Sequence, residues 1–287
     1  MTTLLRSFLA GSSLLCCTLA HADVVADWNA IALNAVESSG APPTTAPRAL
    51  AGVHVAMFEA VNFIERRYVP RLVVRPLTAI EASSEAAAAA AAHVVLARLY
   101  PAQAEAFDAA LERSLAEIPD GEKKASGTTT GRAIGGNVYA VWAWEQAGSP
   151  GSLLAETVSE TLLWSASAAK LIEGRSLATI EAARAHALVS MAVSEVYAAA
   201  GRGHRALHAG RSCVSCAAGV ASLRVLESIL ASARRPSAAA AESGTPEGSP
   251  LVRVTERTDR EGSARLRERR VGESFGAHAL THYRPAR

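Results

Sequence analysis

Apolar residues recur along most of the chain at the three- and four-residue spacing of helices that bury one face. Only residues 68–76, rich in valine and proline, predict an extended segment, and residues 161–171 have no pattern clear enough to assign. The spacing therefore predicts an all-α fold. The predicted helices cover residues 24–36, 48–63, 83–99, 101–117, 122–146, 176–200 and 212–233.

Two of these helices have an unusual composition. The helix over 83–99 begins with a serine cap at Ser83 and carries a glutamate, Glu85, in its first turn. Its alanine tract, 86–92, has thin side chains that let neighbouring helices approach closely. The helix over 122–146 contains four glycines that lower its helix propensity: Gly127, Gly131, Gly135 and Gly136.

The two ends of the chain differ from this helical middle. Residues 1–22 combine Arg6, an apolar stretch over 7–19 and a small-residue cleavage site at Ala20-His21-Ala22, which predicts a signal peptide and export to the periplasm or medium. No later segment has eighteen uninterrupted apolar residues, so we expect no transmembrane segment after cleavage. Residues 23–233 are predicted to form the helical domain, and 234–287 a charged, loosely ordered segment.

Composition excludes several functional classes. The 287 residues carry a net charge of +2, which disfavours a nucleic-acid partner because such a partner requires a strongly basic face. Hydrophobic residues make up 49% of the chain and aromatic residues only 5%, as in closely packed helices. Neither a Gly-rich phosphate loop nor a Gly-x-Ser-x-Gly motif is present, which disfavours nucleotide-dependent and serine-hydrolase chemistry.

The stretch LHAGRSCVSCAAGV, residues 207–220, concentrates reactive residue types. Its Cys213 and Cys216 form a Cys-x-x-Cys pair that opens a helix rather than following a strand, which is atypical of thioredoxin-like proteins. In an exported protein the two cysteines could instead form a structural disulfide. His204 and His208 lie close enough for a zinc site, although their spacing matches no known finger. The sequence leaves three alternative roles open for these two cysteines: packing in the core, a structural disulfide, or redox or metal chemistry.

Polar residues also fall within two predicted helices. Glu59 and Asn62 are three apart and share a face, whereas His54 and Glu59 are five apart and do not. We interpret these three as structural groups bonded to neighbouring backbone. Arg184 and His186 are two apart, so they face different ways and are poor partners for each other.

The N-terminal half resembles the exported bacterial branch of the vanadium-dependent haloperoxidase and type-2 phosphatidic acid phosphatase superfamily. The resemblance rests on DWNAIALNAV (27–36), RALAGVHVAMFEAVNFIERRYVP (48–70) and the alanine-rich 85–121, in the family's order. Residues 174–200 are similar to the family's long helix before its catalytic core. HAGR (208–211) aligns with its Pro-Ser-Gly-His motif, and HALTHYRPA (278–286) with its final Gly-x-His-Tyr-Arg segment. The resemblance implies a helical bundle of that type.

The family's chemistry implies a site for vanadate, as cofactor, or for a phosphoryl group. Such an oxyanion is held by a lysine, two arginines and backbone N–H groups, while one histidine bonds to its centre and another acts as acid and base. By this resemblance His282 is the vanadate-ligating histidine. Arg205 and Arg211 are the cationic donors, Gly210 lies in the oxyanion-binding loop, and His208 is the substitute acid/base. Catalytic roles would thus fall on His208, Arg211 and His282.

Several positions depart from the family pattern. Arg211 stands where the acid/base histidine belongs and stays protonated at working pH, Ala209 replaces the serine donor, and Leu280 replaces a glycine. Residues 198–205 contain neither the family's lysine nor its tryptophan. We therefore expect binding of vanadate, phosphate or a small-molecule substrate with impaired catalysis, and homodimerisation by resemblance. One alternative is a non-catalytic exported helical protein that binds a partner or an anion. Another is a frameshifted or truncated gene after Arg234.

Overall fold

The computed structural model of the chain describes residues 23–40, 45–73, 81–147, 157–175, 177–201, 214–233 and 263–286. Within these ranges the protein is all-α, as predicted, and its other regular feature is an isolated antiparallel bridge between Tyr68 and Pro285. The predicted signal peptide, residues 1–22, lies outside the described ranges, and export stays a prediction.

The helices follow the predicted order. They are α1 (Val24–Ser38), α2 (Ala46–Glu65), α3 (Ser84–Leu99), α4 (Ala104–Ala116), α5 (Glu122–Ala147), α6 (Thr157–Glu173), α7 (Thr179–Gly201), α8 (Val214–Ala233) and α9 (Ser263–Ala279). A short 3-10 helix, Pro101–Gln103, precedes α4. Helix α6 covers the stretch that the sequence left unassigned, and α9 lies in the segment expected to be loosely ordered.

Local chemistry accounts for where several helices begin and end. The Asp23 carboxylate accepts a hydrogen bond of 3.0 Å from the Val25 N–H at the start of α1, and the Ser83 hydroxyl accepts one of 3.0 Å from the Ala86 N–H at the start of α3. Helix α2 ends at Glu65, and the capping residue Arg66 has a left-handed φ of 58° and an N–H that bonds back to the Asn62 carbonyl. The Ser83 cap confirms the boundary predicted from the sequence.

Helices α2 and α7 pack against each other at the centre of the molecule. Helix α2 also contacts α3 and α5, and α7 also contacts α8 and α9, so the pair joins the two halves of the bundle. Among the largest fully buried side chains are Trp28 on α1, Phe58 on α2 and Leu188 on α7. Alanine fills much of the remaining core, which lets the helix axes come close.

The glycines of α5 are explained by its contact with α3. Alanines 86–92 of α3 are all fully buried, and three glycines spaced by four residues on α5 face the backbone of α3. A Cβ at Gly131 would overlap the Ala87 carbonyl oxygen, and one at Gly135 would lie 2.7 Å from that of Ala91. The glycines lower intrinsic helix propensity but permit this close approach, and the tertiary contact prevails.

Helix α9 packs against α8 in the same manner. A Cβ added at Gly276 would lie 2.7 Å from the Ala221 carbonyl oxygen, and one at Gly272 would lie 2.5 Å from that of Ala217. This contact explains why residues 263–279 are helical although few apolar residues are visible in them. The predicted division of the chain at 233/234 stays a prediction.

Helix α8 contains the stretch Val214–Ala231, which is long and apolar enough to cross a membrane by length and composition. It is the single such stretch among the described residues, and 67% of it is buried inside the structure. Helices α6, α7 and α9 all contact α8. The core helix of a bundle has the same composition, so the stretch is accounted for by packing.

Candidate functional site

Most of the site residues expected from the sequence fall in one interval. Residues 202–213, which contain Arg205, His208, Gly210, Arg211 and Cys213, lie outside the described residues. They connect the end of α7 at Gly201 to the start of α8 at Val214. Cys216 on α8 is disulfide-bonded, and its pairing with Cys213, one of the alternatives left open by the sequence, stays a prediction. His282 is therefore the predicted catalytic residue whose surroundings the structure describes.

His282 lies in the turn that follows α9. Its backbone N–H donates a hydrogen bond of 3.0 Å to the Ala279 carbonyl, which fixes its position relative to the helix. Its Nε2 lies 3.8 Å from Oε1 of Glu195 on α7, and its side chain is 17% exposed. The ring of His278, one turn earlier, stands nearly perpendicular to it with centroids 5.1 Å apart.

Glu195, His278 and His282 form a cluster of three metal-ligating side chains, here called the C-terminal cluster. Each offers one ligand atom, and these atoms all lie within 4.8 Å of one another. Among the described residues, Glu195 Oε2 and His282 Nε2 are buried and have no hydrogen-bond partner. His278 is exposed and Glu195 half-buried. The cluster therefore has unused lone pairs and an open side.

The sequence predicted one member of this cluster and missed the other two. His278 and His282 have the four-residue spacing that places side chains one helical turn apart, and this signal was available. Glu195 lies more than eighty residues earlier and carries no local signal. Only the packing of α9 on α7 brings it to the two histidines.

Residues on both sides of His282 are anchored to the bundle. Ala279 is fully buried, and Tyr283 is 3% exposed with a left-handed φ of 50° that turns the chain back. Arg184 Nε on α7 donates to the Tyr283 carbonyl at 3.2 Å. Beyond it, the Val69 N–H donates to the Arg284 carbonyl at 2.8 Å. These contacts hold the C-terminal cluster without using its ligand atoms.

The Tyr283 side chain is buried against α2. Its ring packs on Phe58 with centroids 4.2 Å apart. Its hydroxyl and Glu59 Oε2 are buried without a hydrogen-bond partner among the described residues, and each group influences the pKa of the other. Burial, and then the Glu59 charge, raise the pKa of Tyr283, and burial also raises the pKa of Glu59.

Glu59 and Asn62 hold the extended segment after α2, as the structural interpretation predicted. Glu59 Oε1 accepts backbone hydrogen bonds from Arg71 at 2.9 Å and Leu72 at 3.2 Å. Asn62 pairs with Tyr68 backbone in both directions, donating at 3.0 Å and accepting at 2.8 Å. These buried polar groups shape the surface on which the C-terminal residues dock.

The Tyr68 side chain joins this segment to α7. Its hydroxyl donates to the Glu181 carboxylate at 2.7 Å, and Arg67 forms an ion pair of 3.0 Å with the same carboxylate. Arg184 stacks over the Tyr68 ring, 4.6 Å from its centroid. Burial and then the Glu181 hydrogen bond raise the pKa of Tyr68 to about 12. The hydroxyl therefore stays protonated and acts as a structural donor.

His54 and His186 form a second histidine pair, deep between α2 and α7. His54 Nε2 faces Asn29 Oδ1 at 3.0 Å and Nδ1 faces the Ser190 hydroxyl at 2.5 Å, so a neutral ring donates to the amide and accepts from the hydroxyl. Burial, and then the neighbouring His186, lower the pKa of His54 well below its usual value. Burial lowers the pKa of His186 to about 4. Contrary to the expected backbone bonding, His54 bonds to side chains.

Comparisons of the chain with protein families, curated proteins and solved structures find no similar protein. The haloperoxidase and phosphatase resemblance therefore rests on the quoted sequence segments alone.

The donor chemistry of the C-terminal cluster bears on which ligand it can hold. Two imidazoles and a carboxylate are ligands for a divalent cation of the zinc type. Vanadate and phosphate are anions, and the Glu195 carboxylate, 3.8 Å from His282 Nε2, repels them. The cluster by itself does not fit an oxyanion, and the arginines that the resemblance assigns to an oxyanion, Arg205 and Arg211, lie outside the described residues.

Proposed function

We propose that this chain is an exported, haloperoxidase- and phosphatase-related helical protein that binds a small oxyanion near His282 and is impaired as a catalyst. The oxyanion is vanadate or phosphate. Arg205 and Arg211 supply its positive donors, and His282 lies next to its centre. The fold class is the all-α bundle described above, and the relationship to that superfamily is part of the proposal.

One observation carries this proposal, namely that His282 lies against α7 near the end of that helix, from which the chain continues into residues 202–213. Six residues separate Glu195 from Gly201, a rise of about 9 Å along the helix. The interval 202–213 follows Gly201 directly. Residues 202–213, which contain Arg205 and Arg211, therefore follow directly in the chain on the helix that carries Glu195, and an oxyanion site built from both segments is part of the proposal.

The impairment follows from charge and proton chemistry. Arg211, which aligns with the acid/base position, is always protonated and cannot accept a proton. The Glu195 carboxylate next to His282 opposes an anion there. We therefore expect weak oxyanion binding, with no turnover of p-nitrophenyl phosphate and no oxidation of bromide by peroxide above background.

Calorimetric titration of the purified protein with orthovanadate, and separately with inorganic phosphate, tests the proposal. We expect saturable binding that His282→Ala weakens at least about tenfold, equivalent to about 1.4 kcal/mol. His93→Ala is the matched control, because His93 on α3 pairs with Asp108 instead, at 2.6 Å. Absence of saturable binding by the folded protein would overturn the proposal in favour of a non-catalytic partner-binding protein.

A further inference from the structure

We propose that Glu195, His278 and His282 bind a divalent transition-metal ion of the zinc class. Two imidazole nitrogens and one carboxylate oxygen form the donor set that such ions take in sites with three protein ligands. The residues come from α7, from the end of α9 and from the turn after it, so the site exists only in the folded protein.

The separations of the ligand atoms suit a metal better than a direct contact. Ligands about 2.0–2.1 Å from a tetrahedral zinc ion lie roughly 3.3 Å from each other. His282 Nε2 and Glu195 Oε1 are 3.8 Å apart, too far for a hydrogen bond and close to that edge length. All three ligand atoms lie within 4.8 Å, and the exposed His278 has room to turn towards the other two.

The unpaired atoms of the cluster point to the same ligand. Glu195 Oε2 and His282 Nε2 are both buried, and neither has a hydrogen-bond partner among the residues that the structure describes. A buried carboxylate oxygen and imidazole nitrogen normally have such partners, because leaving them unpaired is costly. A cation between them would use both lone pairs and offset the carboxylate charge.

The backbone holds this site ready for a metal. Thr281 N–H donates to the His278 carbonyl at 2.9 Å and His282 N–H to the Ala279 carbonyl at 3.0 Å, which sets the spacing of the two histidines. Burial of Tyr283 immediately afterwards anchors the turn. The exposed side of His278 provides a path from solvent to the cluster.

The metal site also deepens the proposed function, and in this respect it rests on it. Three protein ligands leave a fourth position of a tetrahedral ion open for a water molecule or an anion. An oxyanion could then bind to the metal instead of facing the Glu195 carboxylate directly. The affinity for vanadate or phosphate is accordingly expected to rise when the divalent ion is present.

Titration of the chelator-treated protein with Co²⁺ and with Zn²⁺ tests the inference. The protein carries no histidine tag and is kept under non-reducing conditions, because Cys216 is disulfide-bonded. We expect one ion per chain, with Co²⁺ absorption bands of tetrahedral intensity that Zn²⁺ abolishes. His282→Ala, His278→Ala and the isosteric Glu195→Gln should each weaken binding by more than the roughly 10–100-fold cost of losing an outer-shell partner. His93→Ala should leave it unchanged.

The outcomes separate this inference from the proposed function. Absence of metal binding, or metal binding that survives in all three cluster variants, overturns the metal site even if vanadate still binds. Metal binding that depends on the three residues supports the site even if vanadate and phosphate do not bind. Circular dichroism of each variant shows whether it is folded. If a histidine variant does not fold, the metal affinity of Glu195→Gln tests the site instead.

Discussion

Two histidine pairs in this protein have the same separation between ring centroids, 5.1 Å, and opposite surroundings. His54 and His186 are buried between α2 and α7, where Asn29 and Ser190 satisfy both nitrogens of His54. His278 and His282 lie at the surface of the bundle beside a carboxylate. Ring spacing alone therefore does not identify a ligand site.

Access and charge distinguish the two pairs. Burial disfavours the charged form of both inner rings and lowers the pKa of His54 and of His186. Each pair has a buried nitrogen without a hydrogen-bond partner among the described residues, His186 Nε2 and His282 Nε2, but the C-terminal cluster also has an exposed ring and the Glu195 carboxylate. The inner pair thus has the properties of a core hydrogen-bond network, and the outer pair those of a ligand site.

Removing the inner histidine should have the largest effect on stability. His54→Ala removes the hydrogen-bond partner of the Asn29 side-chain oxygen Oδ1 and of the Ser190 hydroxyl, and it opens a cavity. We therefore expect the free energy of unfolding to fall by about 4 kcal/mol. Urea denaturation measures this change. His278→Ala, from the outer pair, is the matched control and should change stability by less than about 0.5 kcal/mol. Equal losses in both variants would contradict the distinction.

The inner pair should also make the protein sensitive to acid. The pKa of His186 is about 4 in the folded state against 6.5 unfolded, so the unfolded state binds more protons between these values. The contribution of the neutral His186 ring to the free energy of unfolding is fully present above pH 6.5. It falls by about 3 kcal/mol as the pH is lowered to 4.

Urea denaturation of the wild type and His186→Leu at pH 7 and pH 4 measures this loss. Between pH 7 and pH 4 the free energy of unfolding should fall by about 3 kcal/mol less in the variant than in the wild type. The raised pKa of Glu59 acts in the opposite direction in both proteins and cancels from the difference. Parallel pH profiles would show that His186 does not titrate as a buried neutral ring.

The smallest effect is expected from the carboxylate of the outer cluster. Glu195 and His282 are partly exposed and 3.8 Å apart, so in metal-free protein Glu195→Gln should change the unfolding free energy by less than about 1 kcal/mol. Thermal and urea denaturation after chelator treatment provide the measurement. A loss above about 2 kcal/mol would mean that Glu195 maintains the fold, and its role as a ligand would need another explanation.

Some parts of the fold were readable from local sequence and others were not. Ser83 marked the start of α3 because a serine side chain caps a helix through its own neighbours. Gly131 and Gly135 lower the helix propensity of α5, yet they are required there because the backbone of α3 packs directly against them. Helix α9 was missed for the same reason, since Gly272 and Gly276 stabilise it only through contact with α8.

The sequence by itself determined the all-α class and most helix boundaries, because periodicity and capping act over a few residues, whereas His282 was singled out by the family resemblance alone. Only the tertiary structure decided that Glu195 lies beside His278 and His282, and that His54 and His186 form a buried pair in which both nitrogens of His54 have hydrogen-bond partners. The physical reason is that ligand sites and buried networks depend on which helices pack together. That choice is made by side-chain shape and close backbone approach over long separations in the chain.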